Sequence, residues 1–493
     1  MKIVRNSAMS LTLALVTCAD KDRESTAAAS DIGGVTEDGK SDNDSDSDSD
    51  SDSSADESGE KLDLGEQGSG NPDGDGDGEA KTNKIDILFV IDNSGSTGQE
   101  QANLAHNFPL LVQQLQNLTD TAGDPIAVDV QIMVTTTDMQ HSNCMGTSGA
   151  TDGQPVTTAC TTRLGDFVFA GANEQAACTD NCPVAVVPDG PFLWFHGNQD
   201  NVPDVPDADV NGDGVADNAA AQALACVGPQ GTTGCWYEAP LDAMMAAIDP
   251  EAPHNQGEKP FIRRDAVLAV TILTDEADCS IDEIAHPEVW GTEELWNTDP
   301  DFGVKATSSG ICWNAGIECS GGPGTYDDCV PTDEPMVNIG TYKDYLTGLI
   351  ENEDKEVVML GIIGVPVVTE HDPDPPHLPT AGGVDDLIYR DWEDGIFPNG
   401  DILPGEIDTA ADLQFRFSIG PGCTEVYDGD RKGQAVPAPR IISVCQSLDG
   451  VTAKDDDDEN RIRCCIESIC DDDFSAAITC LTGLIGETVV TPE

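Results

Sequence analysis

Basic residues are scarce in this chain. Its 493 residues hold 23 Lys and Arg against 92 Asp and Glu, a formal net charge of −69. Nucleic acid is thereby excluded as a partner, because phosphate binding needs clustered Lys and Arg. Docking by charge on anionic lipid heads is excluded for the same reason. Long apolar runs are missing too. No stretch reaches the roughly 18 apolar residues a spanning helix requires, so no helix should cross a membrane. Catalytic signatures are absent as well. There is no Gly-x-Ser-x-Gly elbow, no phosphate loop ending in Gly-Lys-Ser/Thr, and no His-Glu-x-x-His. The one glycine-rich string, GDGDGE at 74–79, follows no strand pattern and is no dinucleotide loop. No residue set for an enzyme emerges, and none is expected. Cys-x-x-Cys is missing and the seven His lie apart from the cysteines, which disfavours structural zinc.

What is present begins at the N-terminus. Lys2 and Arg5 precede a short apolar stretch, Ala8 to Val16, in the pattern of an export signal. Its end, Leu15-Val16-Thr17-Cys18, resembles a bacterial lipobox over residues 1–18, with Cys18 as the lipidated residue. Thr17 departs from the small residue usual there. Residues 19–80 are almost devoid of large apolar side chains and include SDNDSDSDSDSDSS. Such a segment buries too little surface to offset its ordering entropy and is expected to be a disordered acidic tether. The expected address is the cell envelope, as an outer membrane lipoprotein facing the periplasm or the cell surface, with the membrane touched only through the lipid anchor. Setting Cys18 aside leaves an even number of the 17 cysteines, and an exported chain of this kind is read as a disulfide protein. Local clusters such as Cys178/Cys182, Cys226/Cys235 and Cys312/Cys319/Cys329 are placed to staple loops.

From residue 82 the pattern turns globular. Ile87 to Ile91 form an unbroken apolar run, as do AVLAVTIL (266–273) and VVMLGIIGV (357–365). Such runs fit strands buried on both faces of a parallel sheet. Val128, Val130, Ile132 and Val134 alternate as a half-buried strand, and Arg461 to Ile469 is read as the last one. Helix faces recur between them: Leu104, Phe108, Leu111 and Leu115, with Pro109 expected to bend or restart that helix; Leu241, Met244, Met245 and Ile248; Tyr342, Tyr345, Leu346, Leu349 and Ile350; and Phe474, Ile478, Leu481 and Ile485, with Asp471 or Asp472 as cap. The fold class is therefore α/β, a doubly wound, mostly parallel sheet flanked by helices. Three Gly/Pro/Cys-rich tracts, 139–230, 276–335 and 366–440, are read as disulfide-rich insertions, the first with room for a second small domain. Within it Phe192, Leu193, Trp194 and Phe195 form an aromatic knot, read as that insertion's core.

The first buried strand ends in Asp92-Asn93-Ser94-Gly95-Ser96. One carboxylate and two hydroxyls at a strand-to-helix turn outline an oxygen-only site for a hard cation. The bland reading is that Asp92 and Ser94 cap the following helix. In a doubly wound sheet, ligands gather beyond the carboxyl ends of strands where strand order reverses. Asp275 ends the second buried strand, and Gly231-Thr232-Thr233-Gly234 lies between the two. This set resembles the metal-ion-dependent adhesion site of a von Willebrand factor type A domain, over residues 82–486. The run TDEADCS (274–280) and the Cys-rich tracts are similar to large bacterial type A lipoproteins of the myxobacterial kind. The resemblance implies Mg²⁺ (or Mn²⁺) held by Asp92, Ser94, Ser96, Thr232 and Asp275, with Thr233 the second choice for the threonine. It implies a protein ligand offering an Asp or Glu carboxylate, in adhesion or envelope assembly. Glu276 and Asp278 are near enough in sequence to join the metal shell, but are read first as loop caps or Ca²⁺-loop ligands.

A second cation loop is suggested by DVNGDGVAD. Asp209, Asn211, Asp213 and Asp217 fall at positions 1, 3, 5 and 9 of a Ca²⁺ loop, with the Val215 carbonyl at position 7. Ala220 stands at the twelfth position, where an acid is expected. This supplies the alternative of a Ca²⁺-stabilised structural envelope protein. His371, Asp372, Asp374 and His377 are interrupted by prolines and read as a solvated loop.

Overall fold

The computed structural model describes residues 83–489, apart from 120–122, 145–146, 148, 170, 398–399, 405–406, 428–430 and 453–459. Cys18, the signal and the acidic tether lie outside the described residues. The strands of the central sheet are β1 Lys84–Ile91, β2 Asp129–Thr136, β3 Leu193–His196, β4 Gln199–Asp200, β5 Ala266–Leu273, β6 Val357–Ile363 and β7 Cys464–Ser468. Their order in this seven-stranded sheet is β7-β6-β5-β1-β2-β3-β4. Five strands run parallel, and β3 and β4 are antiparallel at one edge. Every residue of β5 and β6 is buried, as their unbroken apolar runs require of strands covered on both faces.

The helices are α1 Gly98–Gln116, α2 Ala219–Val227, α3 Pro240–Ile248, α4 Ile339–Glu353, α5 Pro439–Gln446 and α6 Ser475–Val489. Alternate residues of β1 feed two cores. Ile85, Ile87, Phe89 and Ile91 pack with α1, α2 and α6. Leu88 and Val90 pack with α3, α4 and α5 on the opposite face. The sheet is thus the middle of three layers. From β1 the chain steps to β2 on one side; from β5 it steps away on the other, to β6 and β7. Winding therefore reverses between β1 and β5, and a crevice is expected at their carboxyl ends.

Several expectations change. Helix α1 runs unbroken through Pro109. The lost backbone hydrogen bond is outweighed by the burial of Phe108, Leu111, Val112 and Leu115, with Phe108 edge-on to Phe89 at 5.2 Å. The last strand is shorter than 461–469, and α6 begins after Phe474, with Asp473 rather than Asp471 or Asp472 accepting the Ser475 amide at 3.0 Å. The tract 139–230 is only in part an insertion and holds no separate domain: it supplies β3, β4 and α2 to the main unit. Its aromatic knot leads into β3, between β2 and the short edge strand β4, with Phe195 opposite Val130 and Trp194 donating to Asp129 at 2.7 Å. The tracts 276–335 and 366–440 share a small core of Trp313, Ile317, Trp392, Leu413 and Ile419.

The cysteines other than Cys18 pair as 144–235, 160–178, 182–226, 279–312, 319–329, 423–470, 445–464 and 465–480. Of the local clusters, only Cys319 and Cys329 pair with each other. No described helix is long and apolar enough to cross a membrane.

Candidate metal centre

Register brings the two aspartates together. β1 and β5 pair without a slip, Ile91 opposite Leu273, so Asp92 and Thr274 leave the sheet side by side. The Asp92 amide donates to the Leu273 carbonyl at 2.9 Å. The Asp92 carboxylate accepts the Ser94 amide at 2.8 Å and the Thr274 hydroxyl at 2.6 Å. It makes no bond to the amides of α1, which starts at Gly98, so helix capping does not account for it. Ser94 and Ser96 hydroxyls lie 3.3 Å apart, the first buried and the second exposed. Asp275 is buried, and the Ser96 side chain acts on its carboxyl.

The third loop arrives from the α2–α3 connection. Gln101, in the first turns of α1, holds it in place. Its amide donates to the carbonyls of Asp92 at 2.8 Å and Gly231 at 2.7 Å, and its oxygen accepts the Gln230 and Gly231 amides. The Gly234 amide donates to the Asn93 carbonyl at 2.8 Å. Gly231 has φ of +101°, a conformation glycine adopts without strain. Thr232 is buried and points inward, while Thr233 is partly exposed. All five residues expected at the site are thus gathered at one crevice.

The electrostatics there are one-sided. Asp275 is pushed up to about 8, by burial first and then by the charge of Asp92. Burial raises Asp92 itself, against the hydrogen bonds from Thr274 and Ser94. Three further acids join them, of which Glu100 and Glu238 were not anticipated from the sequence as site residues. Glu100 on α1 is raised well above its ordinary value by burial, then by Asp275 and Asp92. Glu238, just before α3, is raised by burial, then by Asp92 and Asp138. Glu276 is raised by burial, then by Asp275 and Asp92. Glu276 is therefore part of the site's surroundings rather than a loop cap. Asp278 is a cap: it accepts the Leu241 amide at the start of α3 and pairs with Arg440 at 2.8 Å. No pattern marked Glu100 or Glu238. An acid in a helix's first turn ordinarily serves the helix dipole, and Glu238 sits in no motif.

Among the described residues no Lys, Arg or His forms an ion pair with any of these five acids, and none is among the strongest influences on them. Several oxygens are buried without a hydrogen-bond partner: Thr232 Oγ1, Asp275 Oδ1, Glu100 Oε2 and Glu238 Oε1. A buried carboxylate left unpaired is costly, and a bound cation removes that cost. The donor set is oxygen only, which fits a hard divalent cation and no soft one. A geometric triple elsewhere, Cys465, Glu467 and Cys480, is no rival, because its two cysteines form a disulfide.

The second candidate loop is also ordered. Asp209 accepts the Gly212 and Gly214 amides, Asn211 the Asp213 amide, Asp213 the Val215 amide, and Asp217 the Val210 amide. Gly212 and Gly214, with φ of +81° and +86°, let the chain curl. Asp217 is raised by burial and then by the charges of Asp213 and Asp209, so the three carboxylates lie near one another. Ala220 is buried in α2 and offers no twelfth ligand. His371 lies in a short hairpin and contacts Glu467 at 3.0 Å, while the His377 ring contacts the Asp372 carbonyl. No family model, curated protein or solved structure matches this chain.

Proposed function

We propose that this chain is a type A domain protein of the cell envelope that binds a protein ligand through a divalent cation. The observation that carries the reading is the crevice where winding reverses. It gathers Asp92, Ser94, Ser96, Thr232 and Asp275, with partnerless buried oxygens and, among the described residues, no cationic side chain paired with the acids. The central position of β1 and the antiparallel edge strand beyond β2 support the family resemblance. A bound Mg²⁺ or Mn²⁺ supplies an electrophilic position for an outside carboxylate.

The chain's own residues do the rest. Asp92 and Asp275 bring charge, and Ser94, Ser96 and Thr232 bring neutral oxygens. Gln101 holds the Thr232 loop against the Asp92 loop. Exposed Ser96 marks the open side, where a partner's Asp or Glu arrives. Hydroxyls and carboxylates converging in this way suit holding a hard cation, which favours a grip over a catalytic centre. The lipobox-like end at Cys18 and the acidic tether support an anchored role in adhesion or envelope assembly.

Calorimetry with Mg²⁺ and Mn²⁺ tests the site. The wild type should bind one ion per chain at the crevice and Asp92→Ala none, with the fold retained by circular dichroism. Absence of binding in the wild type overturns the reading. A pull-down from envelope extract with and without chelator then isolates the partner. The curled loop at 209–217 favours a second reading, a Ca²⁺-stabilised structural envelope protein. Ca²⁺ that raises the melting temperature of Asp92→Ala as much as that of the wild type would support it.

A further inference from the structure

The segment Ser94–Gly98 carries two glycines, and one small hairpin fills the space beside each. The hairpin pairs Val168–Phe169 with Ala172–Asn173 and continues into Glu174. A Cβ at Gly95 would lie 2.7 Å from Phe169 Cδ1. A Cβ at Gly98 would lie 2.7 Å from Cβ and Cγ of Glu174 and 3.3 Å from Thr232 Cγ2. The Phe169 ring therefore rests on the loop that offers Ser94 and Ser96. Glu174 rests beside the wall that carries Thr232. The Cys160–Cys178 disulfide and the Thr232 amide, which donates to the Asp166 carbonyl at 2.6 Å, fix the hairpin there.

Trp236 joins this rim from the other direction. It belongs to the same loop as Thr232, is 46% exposed, and meets the Phe169 ring edge-on at 6.4 Å. Val168, next to Phe169 in the hairpin strand, is 42% exposed. Large apolar side chains left in water around one polar crevice are the composition of a contact surface. Exposed tryptophans in particular are favoured as binding anchors.

We propose that Phe169, Glu174 and Trp236 form the ligand-reading rim of the candidate metal centre. The ligand they fit is a segment of another protein that carries three neighbouring side chains. A carboxylate reaches the cation, a large apolar side chain covers Phe169 and Trp236, and a Lys or Arg meets Glu174. This rests on the cation-dependent reading above. Charge chooses the occupant. A carboxylate alone approaches a chain of net charge −69 against repulsion, and a second copy of the chain, itself at −69, would meet far more. A cationic neighbour in the ligand turns that field into attraction and sets its register against Glu174.

Phage bearing random heptapeptides, selected on the purified protein in Mg²⁺ and eluted with chelator, test this. Wild type should enrich sequences in which Asp or Glu stands near both a large apolar residue and Lys or Arg. Phe169→Ser and Trp236→Ser should each lose the apolar preference and bind the enriched peptides about tenfold more weakly, the order expected for removing an aromatic anchor. Glu174→Gln should lose the basic preference and keep the apolar one. Chelator-eluted peptides that share only a carboxylate, bound equally by wild type and all three variants, overturn the rim while leaving the cation-dependent grip intact. No chelator-eluted peptides at all overturn both. Exposed Trp236→Ser serves where Phe169→Ser melts below the wild type.

Discussion

The two ends of the parallel sheet treat buried acid in opposite ways. At the amino ends, Asp86 is fully buried and every part of it is answered. Arg263 donates to both its oxygens at 2.7 Å, through Nε and its own amide, and Lys355 Nζ stands 3.8 Å away. Arg263 also reaches Asp129 at 2.8 Å, and Lys355 donates to the carbonyls of Arg263 and Ala266. Burial still lifts Asp86 to about 6, but the two cations oppose it. At the carboxyl ends, Asp92, Glu100, Glu238, Asp275 and Glu276 gather with no Lys, Arg or His among the described residues paired with them. In a chain with only 23 basic residues, spending two on Asp86 and pairing none with those five acids fits a structural role at the first end and, on the reading proposed above, a place for a guest at the second.

The contrast can be broken first at the amino end. Arg263→Ala leaves Asp86 buried beside Lys355 alone, and should cost about 3–5 kcal/mol in denaturant unfolding. Removing a charge at the other end should do the reverse. Glu238→Gln in chelator should be neutral or stabilising, because no cation loses its partner. If both variants destabilise equally, the two ends do not differ.

Loading the site comes next in size. Mg²⁺ at a hundredfold its dissociation constant should stabilise the wild type by about 2.7 kcal/mol and leave Asp92→Ala unchanged, read by thermal unfolding. Gln101→Ala then separates positioning from ligation. It strands the Gln230 and Gly231 amides and should cost about 1–3 kcal/mol. It should also weaken Mg²⁺ about 10–100-fold, as loss of an outer-shell partner does.

The smallest effect is a pH slope. Asp275 titrates near 8 when folded and near 3.8 when free, so between those values the folded chain holds a proton that the unfolded chain has lost. Stability from this group is complete below 3.8 and is lost as pH rises through 8. In chelator the melting temperature should fall from pH 5 to pH 8. Asp275→Asn should flatten that fall, and Mg²⁺ should remove it. A slope equal in Asp275→Asn and wild type would move its source elsewhere.

The parts of this molecule differ in how openly the sequence declares them. β1, β5 and β6 were legible because unbroken apolar runs suit only strands covered on both faces. β3 was not. Four residues, Leu193–His196, in a Cys-rich tract have no period of their own to display, and their pairing with β2 supplies the order. Helix α1 was legible apart from Pro109, whose local penalty is overruled by the core behind it. The cysteine count announced disulfides, but not that Cys178 meets Cys160 rather than Cys182.

By itself, then, the sequence determined that Asp92, Ser94 and Ser96 follow one buried strand, that Asp275 follows another, and that a Gly-Thr loop lies between. These are local facts, written in period and composition. Only the tertiary structure decided that β1 and β5 are neighbours in register, so that two aspartates 183 positions apart share one crevice. It alone buried Glu100 and Glu238 there and laid Phe169 and Glu174 on the two glycines of the motif. Pairing and packing between distant segments follow from how whole faces fit, and no window of sequence contains both partners.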